Sequence, residues 1–157
     1  MKKSIAIVLG VLITASTVFA GTTKGEKTAF EIDTKASKVN WTGKKVTGEH
    51  TGYLLLGNGI VTVEKNNVTS ARVNMDMNSI VCTDLTNEEY NKKFVGHLKS
   101  DDFFSVEKYP NSTFEITSVK PASNGQYTVK GNLSIKGITN EISFPAKISV
   151  ERNVVKA

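Results

Sequence analysis

The chain carries a single cysteine, Cys82, in 157 residues. That excludes an internal disulfide framework and any metal site built from several cysteines. Histidine is almost as scarce, with His50 and His97 the only two, and there are three prolines and one tryptophan. No apolar run reaches the roughly 20 residues a membrane-spanning helix needs. The strongest, Ile5 to Ile13, is less than half that length. Ser100 has no G-x-S-x-G context, so the nucleophile elbow of a serine hydrolase is missing. Charge of one sign is also in short supply: 20 Lys+Arg stand against 15 Asp+Glu, a formal +5. Lys2 and Lys3 supply two of those charges, and the +3 spread over residues 21–157 is too weak a bias to point to nucleic acid.

What is present begins with a processing signal. Lys2 and Lys3 precede the apolar run, and Val18-Phe19-Ala20 places small or medium residues where a signal peptidase cuts, followed by Gly21. Residues 1–20 are therefore expected to be a signal peptide cleaved after Ala20. No cysteine follows the cleavage site, so no lipoprotein anchor is indicated. The mature protein is expected in the periplasm, or secreted. Residues 21–28 are polar up to Lys27 and read as a flexible leader, with the folded domain over residues 29–157.

From Phe30 onward the dominant period is two, the spacing of strands with one buried face. Val39 and Trp41 alternate with polar neighbours, as do Leu54 and Leu56, Val61 and Val63, and the long set Ala71, Val73, Met75 and Met77. Phe114 with Ile116, then Tyr127, Val129, Leu133 and Ile135, then Ile142, Phe144, Ala146, Ile148 and Val150 repeat the pattern. Gly57-Asn58-Gly59, Asn66-Asn67, Asn124-Gly125 and Lys136-Gly137 supply turn chemistry between them. Short loops between consecutive strands predict an up-and-down antiparallel meander.

One segment departs from that period. Thr86-Asn87-Glu88-Glu89 predicts a capping box with Thr86 as N-cap. Tyr90, Phe94 and Leu98 follow as a helical stripe, with Asn91, Lys92 and Lys93 on the other face. Gly96 predicts the end of the helix, because glycine costs about 1 kcal/mol in a helix interior. Ser100-Asp101-Asp102-Phe103-Phe104 then reads as a turn that swings two aromatics inward, with both aspartates capping backbone N–H groups.

An antiparallel meander of this size predicts a barrel, which removes the open edges of a flat sheet. At about eight strands its interior holds side chains or one slender ligand. The residues also carry a resemblance. Phe30-Glu31-Ile32-Asp33, Ser37-Lys38-Val39-Asn40-Trp41, Gly57 to Val63, and Ser79-Ile80-Val81 are similar to the YceI-like family. The most specific part is the block His97-Leu98-Lys99-Ser100-Asp101-Asp102-Phe103-Phe104 with Lys108-Tyr109-Pro110 and Phe114. Gly131 to Thr139 belongs to the same likeness.

The resemblance implies a lipocalin-like extended antiparallel β-barrel of about seven or eight strands with one short helical segment. It also implies a long apolar ligand, a polyisoprenoid or fatty-acid-type lipid, in the lumen. Family members run on past the strand that ends near Val150, whereas this chain stops at Ala157. The expectation is a fragment, or a barrel without its closing strand whose open edge pairs with a second copy.

The expected lumen residues are Trp41, Met75, Met77, Phe94, Leu98, Phe103, Phe104, Phe114, Leu133, Ile135, Ile142 and Phe144. The expected partners are the lipid and, transiently, a membrane, with no catalytic residue, metal or cofactor. Two rivals stand beside this reading. One is an envelope enzyme using His50 and His97, with or without a metal; the other is a barrel filled by its own side chains that acts through surface contacts. Cys82 reads as a small buried hydrophobe. Lys44 and Lys45 read as a solvated rim, with an anionic lipid head group as the sharper alternative. Asn67, Asn111 and Asn132 each open an N-x-S/T sequon.

Overall fold

The protein is seen in a computed structural model that describes residues 10–12, 14–16, 27–46, 48–152 and 154–157. The expected cleavage site at Val18 to Ala20 and most of the expected leader lie outside the described residues. Thr28, placed by the sequence at the leader's end, already belongs to a strand.

In chain order the strands are β1 (Gly10–Leu12), β2 (Thr14–Ser16), β3 (Thr28–Glu31), β4 (Lys38–Lys45), β5 (Gly48–Glu64) and β6 (Asn67–Cys82). Helix α1 (Glu88–Lys99) follows. The chain continues through β7 (Asn111–Pro121), β8 (Tyr127–Ile135), β9 (Ile138–Ala146), β10 (Ser149–Glu151) and β11 (Val154–Lys156). Strands β4 to β9 pair in sequence order, each antiparallel to the next, which is the predicted meander. β1 lies on β4, β3 lies on the far half of β5, and β10, β11 and β2 form a smaller sheet.

The fold is thus mostly antiparallel β. Closure is not seen: β9 shares no ladder with β4 or β1 among the described residues. The burial pattern agrees with this open side. The inward residues of β4 to β6, among them Val39, Leu56, Val61, Val73 and Met75, are buried, whereas Leu133, Ile142, Phe144, Ile148 and Val150 are only half-buried.

Gly57-Asn58-Gly59 is not a turn. β5 runs straight through it, and a bulge between Leu56 and Asn58 absorbs the irregularity. Gly59 is needed for close approach instead, because a Cβ there would press on the Ile32 side chain and on the Arg72 carbonyl. The tight turns lie at Lys65-Asn66 and Lys136-Gly137, where both residues have positive φ and the strands reverse in two residues.

A second irregularity sets the interior. Tyr53 pairs with Val81 and Leu55 with Asp76, so β6 carries three extra residues between the two rungs. Ser79 holds this bulge, its hydroxyl donating to the Asp76 carbonyl at 2.6 Å and accepting the Leu55 N–H at 2.7 Å. The inward positions shift from odd numbers, ending at Met77, to even ones, Ile80 and Cys82. A bulge of this kind re-aims every side chain beyond it.

The helix also differs from the expectation. Asn87, not Thr86, is the N-cap, and its side chain accepts the Tyr90 N–H at 3.0 Å. The helix passes through Gly96 and ends at Lys99, where Ser100 is the C-cap. Tyr90 is 65% exposed, so the predicted stripe loses its first member. Asn91 points the other way and donates to the Cys82 and Leu85 carbonyls at 2.9 and 2.8 Å. The Cys82 carbonyl at the end of β6 and the Leu85 carbonyl in the segment before α1 take their donors from it, and that need outweighs the polarity of Asn91.

Candidate functional site

Helix α1 and the turn after it cover the end of the sheet that the β6 bulge shapes. Beneath them is a cavity of about 240 Å³. β4 contributes Val39 and Trp41, β5 Leu54, and β6 Met75, Met77 and Ile80. Phe94 and Leu98 come from α1, Phe103 and Phe104 from the turn, and Leu133 and Ile135 from β8. Rings knit the cover together: Phe94 lies 6.5 Å from Trp41 and 4.5 Å from His50, and Phe103 lies 6.3 Å from Phe104, between ring centroids. Thr42, Gly43, Lys44 and Lys45 from the end of β4 and His50 from the start of β5 also border it.

Nine of the twelve residues singled out from the sequence therefore line one cavity. Phe114, Ile142 and Phe144 do not. Phe114 and Phe144 pack on each other at 5.5 Å, Ile142 pairs with Gly131, and all three are half-buried on the open side of the sheet. Sequence reasoning placed Val39 and Leu54 on buried strand faces but not in the lumen, and missed Ile80 and Ser112 altogether as wall residues. Ile80 is invisible to a period of two because the bulge inverts the parity. Ser112 is 2% exposed on a strand whose alternation reads from Phe114.

Two buried polar atoms of this wall, Trp41 Nε1 and Ser112 Oγ, find no hydrogen-bond partner among the described residues. Orphans of this kind are uncommon, since leaving one costs about 1–3 kcal/mol.

The His50 side is ordered by Asp84. Its Oδ2 lies 2.8 Å from His50 Nδ1, while its Oδ1 accepts the Thr51 N–H at 2.7 Å and the Cys82 thiol at 3.3 Å. Thr51 is pinned from its other side by the Thr83 N–H on its carbonyl at 2.8 Å. Desolvation pushes the Asp84 carboxyl up, but the Thr51, His50 and Cys82 hydrogen bonds outweigh it and bring it down to about 2. Burial pushes the Cys82 thiol up, opposed by the Leu85 N–H. His97 belongs to another place, 3.8 Å from Asp102 and 5.0 Å from the Phe103 ring. The two histidines the sequence pairs as a rival site thus answer to different carboxylates.

Asp101 does not cap the backbone as expected. Its carboxylate accepts the Ser105 hydroxyl at 2.5 Å and the Lys108 ammonium at 2.8 Å. That arrangement ties the Phe103-Phe104 turn to the approach of β7. Lys44 pairs with Glu49 at 3.2 Å in the open, a contact worth little by itself.

A family model described as the YceI-like domain matches residues 30–157. The chain belongs to the YceI-like family. It is 32% identical over 111 residues to a UPF0312 protein of Yersinia enterocolitica, covering 67% of this chain and 55% of that one. A UPF0312 protein of Yersinia pestis matches at the same identity and coverage. The chain spans about half the length of the curated relatives it matches. Among solved structures, a Campylobacter jejuni YCEI protein aligns at 27% identity and a TM-score of 0.44, over 52% of this chain and 44% of that one. Burkholderia cenocepacia BcnA aligns at 18% identity and 0.43, over 90% and 69%.

Proposed function

We propose that this YceI-like protein is an exported, non-enzymatic binding protein that takes a long apolar chain, polyisoprenoid or fatty-acid-type, into the cavity under α1. The observation that carries this reading is the cavity itself, walled by apolar side chains from β4, β5, β6, β8, α1 and the following turn. A wall with that much carbon argues against a self-filled interior and for an apolar occupant.

Size sharpens the reading. At about 240 Å³ the cavity exceeds the roughly 150 Å³ that accommodates a benzene ring and falls short of the about 300–1,000 Å³ of drug-sized sites. One end of a long chain fits inside. The remainder would lie along the half-buried row of Ile142, Phe144, Ile148 and Val150 on the open side.

Energetics favour a carrier or reservoir over a trap. Burying one five-carbon isoprene unit from water is worth about 4 kcal/mol, but the free lipid rests in a membrane that is equally apolar. Net transfer from bilayer to protein is then close to neutral, and exchange in both directions is possible. Export rests on Lys2, Lys3, the apolar run and Ala20; cleavage there would take β1 and β2 away with residues 1–20, and it is checked by whether the N-terminus of the protein recovered from the cell envelope is Gly21.

The deciding experiment is native mass spectrometry of the purified protein with and without a long-chain isoprenoid alcohol. The expected result is one bound lipid, lost in Leu133→Trp, which fills the cavity from a half-buried position. A folded Leu133→Trp protein that takes up the lipid as the parent does would overturn the reading.

A further inference from the structure

Beside the cavity, behind the His50 part of its wall, lies a cluster that lipid binding does not use. One ligand-capable atom each from His50, Cys82 and Asp84 lies within 4.8 Å of the other two. We propose that these three side chains form a binding site for a borderline divalent cation of the zinc type, with water as the fourth ligand.

The donor set selects the metal. One sulfur, one imidazole nitrogen and one carboxylate oxygen suit Zn²⁺ and are unsuited to Ca²⁺ or Mg²⁺, which take oxygen. Three protein ligands and an open fourth position is a common zinc arrangement. Charge fits as well: a thiolate and a carboxylate neutralise the ion, so the loaded site is neutral in a place where Cys82 is only 3% exposed.

The surroundings are already arranged to hold these ligands. The Thr51 N–H fixes Asp84 Oδ1 at 2.7 Å, and the Phe94 ring packs against the His50 ring at 4.5 Å, tilted by 47°. Outer contacts of this type set ligand orientation in metal sites. Asn91 holds the carbonyl of Cys82 and that of Leu85, which keeps the β6 end and the segment leading to α1 in one geometry.

Two existing contacts give way on binding. The Cys82 thiol, which now donates to Asp84 Oδ1, loses its proton to solvent and ligates through sulfur. The imidazole ligates through one ring nitrogen and keeps its proton on the other, so it stays neutral. Nothing is oxidised or reduced.

Cobalt reports on the site directly. The full chain, stripped with a chelator under reducing conditions, is titrated with Co²⁺ and followed by absorption. The expected result is a thiolate-to-cobalt charge-transfer band with tetrahedral visible bands, saturating at one equivalent and bleached by Zn²⁺. Cys82→Ser should abolish the charge-transfer band. His50→Ala and Asp84→Asn should weaken binding by about tenfold or more, and His97→Ala should leave it unchanged. Because Cys82 is buried and its variant can fail to fold, half-exposed His50→Ala carries the same test with circular dichroism as the check on folding. A folded parent protein without the charge-transfer band, or a band undiminished in His50→Ala, overturns the proposal. Lipid uptake is measured separately and does not enter either outcome.

Discussion

Trp41 on β4 and Phe94 on α1 meet across the cavity roof, with ring centroids 6.5 Å apart and planes tilted by 43°. This contact joins the helix to the first strand of the meander, and Phe94 also packs on His50. Phe94→Ala removes both ring contacts from a half-buried position. The expected loss of stability is about 2 kcal/mol, less than the 3–5 kcal/mol of a fully buried phenylalanine. Chemical denaturation should show a lower midpoint with an unchanged slope, because the exposed area on unfolding hardly alters.

Asn91 and Tyr90 are neighbours on α1 with opposite roles. Asn91→Ala leaves the Cys82 and Leu85 carbonyls without their donor and should cost about 1–3 kcal/mol. Tyr90→Ala, at a position 65% exposed, should stay within about 0.5 kcal/mol of the parent. Thermal melts of the two variants check the contrast. Equal effects would mean that Tyr90 is the inward residue after all.

Gly52 sits where the Trp41 indole crosses β5. A Cβ there would collide with the Val81 carbonyl oxygen and come within 2.7 Å of Trp41 Cε2. The indole can shift, but the paired backbone of Val81 cannot do so without breaking its rung with Tyr53. Gly52→Ala should therefore destabilise by about 2–3 kcal/mol, the upper range for overpacking. Tryptophan fluorescence should shift at the same time, since Trp41 is the only reporter in the chain.

The Asp101 carboxyl is held below its ordinary value of 3.8 by the Lys108 hydrogen bond first, then by Ser105 and the Lys108 charge. A depressed carboxylate contributes stability that is present above the unfolded value and is lost as pH falls through the lower folded one. The turn around Phe103 should thus loosen only in strongly acidic solution. An NMR titration of the Asp101 side-chain carbon should give a midpoint below 3.8, and Lys108→Ala should move it back up. A midpoint unaffected by Lys108→Ala would show that the pair does not persist in solution.

Much of the fold was legible locally. Alternation along Ala71, Val73, Met75 and Met77 identifies the buried face of β6 because a strand side chain has only two directions to point. The inward swing of Phe103 and Phe104 was legible too, from an apolar pair placed after a polar turn. The turn at Gly57-Asn58-Gly59 misled, since glycine serves a turn and a close backbone approach equally well, and only the position of Ile32 and Arg72 distinguishes them. The helix cap slipped by one residue because Thr86 and Asn87 are both good caps, and the choice lay with the segment joining the helix to β6.

By itself the sequence determined the strand-rich class, the meander order, the helical interruption, and nine of the residues that come to line the cavity. These follow from period, turn chemistry and short connections, which act within a few residues. Tertiary structure decided the rest. The three-residue excess in β6 turned Ile80 and Cys82 inward, and the pairing of residues 52–53 with 81–82, continued by the Thr83 N–H on the Thr51 carbonyl, brought His50 to Asp84 across 34 positions. Whether the sheet closes was also beyond local reading, since closure depends on two end strands meeting. No alternation along a single strand encodes that distance.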